Sequence, residues 1–266
     1  MPHVIMSFYP TFSAQGSLPK ETVLYHTFPY QYFKDMVQTH RLYFRKVYKW
    51  ADTYEYPIRF MPEDRKDWVK NGLFGFCLTK KYDKEAMWKL YSGNDYGICI
   101  KTTAVSICNA LSGIVKSSLP TDNNAFIGNV RYVSYLEDHP EQMFQEDFRF
   151  EYPDYMYPAF LKRDAFSYEE EVRLILFDID AYFRGASDGL YKELSDMNFI
   201  HEIILSPYCS EENKAEIESF CQEHGILVPL SQSNFLKQIE EDSIPLPTKD
   251  QLYWGLSKES YGIISP

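Results

Sequence analysis

The sequence predicts an α+β fold with a mixed, largely antiparallel central sheet and flanking helices. Three observations carry this expectation. Short apolar stretches at residues 73–79, 172–177 and 200–205 read as strands, being too brief for ordinary helices. Segments with apolar residues at helical spacing fall between them. The two kinds of segment intermingle without the strand–helix–strand rhythm of a parallel sheet. No internal repeat or low-complexity tract interrupts the 266 residues. A single domain is therefore expected, with 1–20 as an irregular lead-in, 22–230 as the core and 231–266 as a C-terminal tail packed on it.

Taken in order, residues 1–20 carry the Pro, Ser and Gly of irregular chain. Residues 22–28 alternate and read as a strand. Residues 30–40 place Phe33, Met36 and Val37 at the spacing of an amphipathic helix, and 41–44 read as a second strand. Residues 51–71 are polar, with Pro57 and Pro62 among many charges, and read as a long connection of the kind that often carries function. Beyond strand 73–79, a helix is expected at 83–91, a strand at 96–101, helical spacing at 103–115 and a strand at 127–135. Residues 137–160 mix acids with aromatics and show no clear period. The best-marked helix spans 210–224. Ser210 is a natural N-cap, Glu211 and Glu212 suit the positive N-terminal end, and Gly225 supplies the stop. A last short strand is expected at 226–229, and the tail is expected to pack through Phe235, Leu236, Tyr253 and Trp254.

Composition narrows the functional classes. Aromatic residues make up 17% of the chain, with 22 Tyr and 19 Phe, so they supply much of the core and give Tyr the chance to present a hydroxyl at a pocket wall. The net charge of -11 disfavours non-specific binding to phosphate backbones. Lys34, Arg41, Arg45, Lys46 and Lys49, interleaved with aromatics, read either as a solvated face or as a local basic groove. The five cysteines, Cys77, Cys99, Cys108, Cys209 and Cys221, are odd in number and contain no CxxC pair, which fits reduced, buried thiols without a zinc site. No signal-peptide pattern and no stretch of membrane-span length is visible, so a cytoplasmic protein without membrane contact is expected.

No GxGxxG, P-loop, HExxH or GxSxG motif is present. The functional clue is a pairing across the chain. His26 ends a short apolar stretch, and Glu169 and Glu171 stand at the mouth of the run Val172-Arg173-Leu174-Ile175-Leu176. A histidine at one strand edge and a glutamate at another suit two halves of one site. Along a strand Glu169, Glu171 and Arg173 would share one face. Such a group is not fully buried unless paired, and a bidentate Arg173 contact could neutralise one acid and leave the other for a ligand. Lys162 lies just upstream. Asp52 and Glu55 read either as a solvated turn or as a pair that orients a ligand hydroxyl or metal. Met87, Trp88 and Tyr91 read as core packing or, in the minority view, as a pocket wall.

These pieces, in this order, resemble domain-of-unknown-function family 2971. The elements that carry the resemblance are Leu24-Tyr25-His26-Thr27, Asp52-Thr53-Tyr54-Glu55, Cys77-Leu78-Thr79, Met87-Trp88-Lys89-Leu90-Tyr91, Gly97-Ile98-Cys99-Ile100, and Lys162, Phe166, Glu169, Glu171 and Arg173. They span about residues 22–230, and Ala51, Thr53 and Phe166 depart from the family pattern, marking a divergent member. A second, looser likeness is to ADP-ribosyltransferases of the His-Tyr-Glu type. That likeness implies an ADP-ribosyltransferase-like core in which His26 holds an NAD ribose, Tyr43 or Tyr54 stacks on nicotinamide, and Glu171 stabilises positive charge as the glycosidic bond breaks. Tyr25, Trp88, Tyr91 and Arg173 complete the expected NAD site, with Glu169 beside Glu171 and no metal.

The expected activity is ADP-ribosyl transfer or NAD glycohydrolysis, with NAD as substrate and a protein or nucleic acid as acceptor. It extends to a toxin or antiphage-defence effector with a partner protein from a defence or toxin–antitoxin system. Two alternatives stay open at this point. One is a metal-dependent nuclease using Asp52, Glu55, Glu169, Glu171 and Lys162. The other is a non-catalytic module that binds a nucleotide or a protein. A shared cleft for His26 and Glu171 would separate the enzyme readings from the last.

Overall fold

The strands expected at 73–79, 172–177 and 200–205 all enter one sheet, and the order of pairing decides where a cleft can form. The computed structural model describes residues 18–50, 63–93, 96–112, 123–134, 156–185 and 188–236. β1 (Val23–Pro29) runs directly into α1 (Tyr30–Thr39), which buries Tyr30, Phe33, Met36 and Val37 at the spacing the sequence predicts. β2 (Arg41–Lys46) alternates, sending Leu42, Phe44 and Lys46 inward and Arg41, Tyr43 and Arg45 outward. The polar stretch 51–71 is not connection throughout, because α2 (Glu63–Gly72) occupies its second half. Then follow β3 (Leu73–Thr79), α3 (Glu85–Tyr91), β4 (Gly97–Thr103) and α4 (Ala104–Ser112).

The strand expected at 127–135 divides into β5 (Asn123–Asn129) and β6 (Arg131–Val133), which join different sheets. The break falls at Val130, whose amide donates to the carbonyl of Glu171 at 2.9 Å. β7 (Leu161–Arg163) leads through a 3-10 turn, Asp164–Glu169, into β8 (Glu171–Asp178). α5 (Ile179–Arg184) and β9 (Gly189–Glu193) were not apparent from periodicity. After β10 (Glu202–Leu205), α6 (Glu211–Glu223) is capped by the Ser210 hydroxyl, which accepts from the Asn213 amide. Gly225 just beyond it has a φ of 70°, a conformation that favours glycine. The last strand is β11 (Leu230–Gln232), later than expected, and the preceding Pro229 carbonyl accepts from the Ile203 amide at 2.9 Å. Of the residues expected to seat the tail, Phe235 and Leu236 are exposed, while Tyr253 and Trp254 lie outside the described residues.

The fold is α+β, and its nine-stranded sheet is antiparallel except where β10 meets β11. β6 and β7 form a separate parallel pair. β8 covers one edge of β3 along its whole length, from Leu73 opposite Phe177 to Thr79 opposite Glu171. The other edge of β3 is divided. β2 pairs there only at Gly75 and Phe74, and β1 only at Thr79. Between these contacts β1 leaves with β4, β10 and β11, while β2 leaves with β9. The sheet is thus split along β3, with part of that strand's edge open.

Both faces of the sheet are covered around β3 and β8. Val172, Leu174 and Leu176 face the large core with Phe76, Leu78 and Phe33. Ile175 and Phe177 face a smaller one with Leu73, Met156 and Phe160. A strand buried on both faces reads as a continuous apolar run, and this explains why β8 was conspicuous in the sequence despite carrying Arg173. Among the described residues no helix is long and apolar enough to cross a membrane.

Candidate active site

The split along β3 opens into a cleft of about 1200 Å³. Tyr25 and His26 from β1, Tyr43 from β2, Tyr91 from α3, and Lys162, Glu169 and Glu171 all line it. The side chains reach it by two routes. Tyr25 pairs with Thr79, which pairs with Glu171, so these three point to one face of the sheet. His26, one residue on, points to the opposite face with Phe76 and Phe28, whose ring centroids lie 4.2 and 4.7 Å from its own. His26 and Glu171 therefore come from opposite faces and meet one cleft because the sheet is open between them.

His26 is fixed by the unpaired edge. Its Nδ1 donates to the carbonyl of Cys77 at 2.7 Å, within the part of β3 that neither β1 nor β2 covers. A carbonyl only accepts, so Nδ1 carries the proton and Nε2 of the neutral ring keeps its lone pair. Burial among aromatic rings lowers the imidazole pKa to about 4, and the Cys77 hydrogen bond opposes this only in part. The residue is a neutral hydrogen-bond acceptor at pH 7, suited to a ligand hydroxyl.

Glu171 is held by charge. Arg173 grips it bidentately, Nε to Oε1 at 3.0 Å and Nη2 to Oε2 at 2.9 Å, and Lys162 Nζ stands 3.3 Å from Oε2. Burial alone would raise the carboxyl pKa. The Arg173 charge and hydrogen bonds, then Lys162 and the Cys77 thiol, more than offset it and hold Glu171 below the usual range. Lys162 also bonds Glu169, which accepts from the Tyr91 hydroxyl at 2.9 Å. Burial, followed by the charge of Glu169, drives the Tyr91 pKa well up, so its proton stays in place. The Glu171 amide donates to the Tyr132 hydroxyl oxygen at 2.8 Å.

Arg173 is completely buried behind this arrangement, donating also to the Ala159 carbonyl at 2.6 Å, so its expected role in touching a ligand becomes one of holding Glu171. Trp88 is likewise displaced from the expected binding set. It is 1% exposed and packs with Cys99 and Ile204 in the core, which leaves no ring surface for a ligand. Tyr54, Asp52 and Glu55 lie outside the described residues. Of the nuclease set, Lys162, Glu169 and Glu171 are together, yet both carboxylates are already engaged by cationic side chains. No group of three or more metal-ligating side chains occurs among the described residues. All five cysteines are free thiols, and only Cys77 is not fully buried.

Among the wall residues, Trp50 was not singled out in the sequence, and Phe166 was noted there only as a departure from the family pattern. Trp50 lines the cleft with its ring 4.2 Å from the Arg173 guanidinium. It can lie there because β3 carries Gly75, where a Cβ would come within 2.5 Å of the indole and 2.8 Å of Ile175. Phe166 lines the cleft beside Lys162, whose Nζ is 4.9 Å from the ring centroid. The spacing of Trp50 to Gly75 or to Arg173 has no local signature in the chain.

The family described as "Protein of unknown function (DUF2971)" matches residues 87–174. The match runs from α3 into β8 and takes in Tyr91, Lys162, Glu169, Glu171 and Arg173. No curated protein matches the chain. Among solved structures, Thermus sp. 2.9 DarT in complex with NAD+ is similar at a TM-score of 0.37 and 11% identity, over 82% of this chain and 99% of that one. The same protein in complex with ADP-ribosylated ssDNA gives 0.39 and 10%, over 82% and 97%. Its complex with carba-NAD+ gives 0.38 and 11%, over 81% and 96%.

Proposed function

We propose that the cleft binds NAD and breaks its nicotinamide–ribose bond, passing ADP-ribose to an acceptor or to water. The observation that supports this most is that a neutral His26 and an ionised Glu171 line one cleft of about 1200 Å³. A cleft of that size suits a dinucleotide. His26 Nε2 accepts from a ribose hydroxyl. Tyr43 and the other aromatic walls flank planar rings. As the glycosidic bond breaks, its electron pair goes to the nicotinamide nitrogen and leaves an oxocarbenium-like sugar. Glu171, fixed and negatively charged before the reaction begins, stabilises that positive charge. The acceptor oxygen or nitrogen then bonds the same carbon and releases its proton.

Nicotinamide release from NAD by the purified chain tests the chemistry. Offering protein and single-stranded DNA acceptors beside water separates transfer from hydrolysis, since hydrolysis yields free ADP-ribose. The expected result is release by the wild type, its loss in Glu171→Ala, and a raised KM for NAD in His26→Ala. Full activity in both variants overturns the site. Consumption of cellular NAD, or modification of a macromolecule, would make the chain a toxin or an antiphage-defence effector. Arrested growth on expression of the wild type but not of Glu171→Ala is the outcome expected from that role.

A further inference from the structure

Glu169 and Glu171 meet at Lys162, but not as alternate residues of one strand. Glu169 ends a 3-10 turn, and β8 begins at Glu171. Between them Glu170 has a φ of 44°, in the left-handed region. Among the described residues only one other non-glycine, His40, is left-handed, and it caps α1. Left-handed backbone is unfavourable for a residue with a Cβ, and Glu lacks the short side chain that lets Asn adopt it more readily. Such outliers persist where the surroundings over-determine them, and they gather at functional sites.

The surroundings here are on β3 and just beyond it. The Glu170 carboxylate lies 2.9 Å from Lys81 Nζ and 3.2 Å from Lys84 Nζ. Its amide donates to the Ser167 carbonyl at 3.3 Å, and its own carbonyl accepts from the Lys80 amide at 3.1 Å. On either side, Thr79 Oγ1 donates to the Glu169 carbonyl at 2.5 Å, and Lys84 Nζ donates to the Tyr168 carbonyl. None of these groups lines the cleft except Thr79 and Glu169.

We propose that Glu170 is a positioning residue, held left-handed by Lys81 and Lys84 so that the turn it makes brings Glu169 and Glu171 together on Lys162. It touches no ligand. A left-handed residue at this point lets a turn deliver Glu169 to the same cation that Glu171 reaches from the strand. The activity test rests on the NAD reading, whereas the geometry can be tested without it.

The series is Glu170→Gly, Glu170→Asn, Glu170→Ala and Glu170→Val, with the double variant Lys81→Ala/Lys84→Ala. Gly and Asn tolerate the left-handed region, Ala and Val do not, and the double variant removes the two lysines that hold Glu170 there. Two readouts are taken on variants shown to be folded by circular dichroism: kcat and KM for nicotinamide release, and the Glu171 titration followed by carboxyl carbon NMR. Ala, Val and the double variant are expected to lose about tenfold or more in kcat with KM for NAD little changed. In these the Glu171 titration should move up towards the ordinary carboxylate range. Gly and Asn should fall much less on both measures. Equal behaviour across the series, or Gly and Asn falling as far as Val, overturns the proposal. If the wild type releases no nicotinamide, the NAD reading fails, and the Glu171 titrations alone decide the role of Glu170 by the same ordering.

Discussion

The two halves of the cleft solve the problem of a polar group withdrawn from water in opposite ways. On the β1 side, His26 sits among Phe28 and Phe76 with one backbone carbonyl as its partner, and it is neutral. On the β8 side, Glu171 sits among Arg173, Lys162, Glu169 and Tyr91, and it is ionised. The first half needs no counter-charge because the apolar surroundings remove the charge. The second needs two cations because its carboxylate must stay charged in a place where burial opposes it. A ligand entering between them meets a hydrogen-bond acceptor without charge on one side and a fixed negative charge on the other.

Breaking the ionic half should have the largest effect. Arg173→Met keeps the bulk but leaves Glu171 without its bidentate partner, and the expected loss of stability is about 3–5 kcal/mol, read by urea unfolding. Unfolding unchanged from wild type would mean that Lys162 alone suffices for the cluster. Glu171→Gln keeps the shape and removes the charge, and kcat for nicotinamide release should fall by about 10²–10³-fold while NAD still binds. Retained kcat would place the charge-stabilising role elsewhere in the cleft.

The neutral half should give a smaller and different signature. His26→Phe removes one acceptor, and KM for NAD should rise by about tenfold, with kcat affected less. The halves also separate in pH. The folded pKa of His26 is near 4 against an unfolded 6.5, so between these values the unfolded chain binds more protons and stability falls as the pH drops. His26→Phe should abolish that part of the acid loss. Glu171, whose folded pKa is below 4.5, contributes stability present above that value and lost as the pH falls through the folded pKa. Acid titration of wild type and His26→Phe should therefore differ at mildly acidic pH and converge in slope below it. The smallest effect is expected far from both halves: Ser210→Ala removes the α6 cap at about 1 kcal/mol, with nicotinamide release unchanged.

What could be read from the chain follows how local each signal is. α1, β3, β8 and α6 were legible because their periodicity or caps lie within a few residues. α2 was not, since Glu63–Gly72 is dominated by charged residues and offers few apolar positions to repeat. β9 was missed because a five-residue edge strand, Gly-Leu-Tyr-Lys-Glu, shows too little alternation. The Glu171–Arg173 pair was foreseeable from strand spacing. The meeting of Glu169 with them was foreseen for the wrong geometric reason, since a left-handed Glu170 stands where a strand residue was expected. Trp88 read both as core and as pocket wall, because an aromatic at helical spacing looks alike whether its face turns to core or cleft, and it lies in the core. Trp50 and the Cys77 carbonyl were invisible, because both depend on where a distant strand departs from β3.

That carbonyl ties the chemistry of the imidazole to strand register. The proton on Nδ1 is set by a backbone atom, so no side-chain exchange at position 77 can erase the acceptor that selects the tautomer. A slip of β1 by one residue would do so, because alternation would turn His26 away to the ionic face and present Tyr25 or Thr27 in its place. A one-residue insertion or deletion inside β1 that forced such a slip would silence this site while leaving every one of its side chains in the protein.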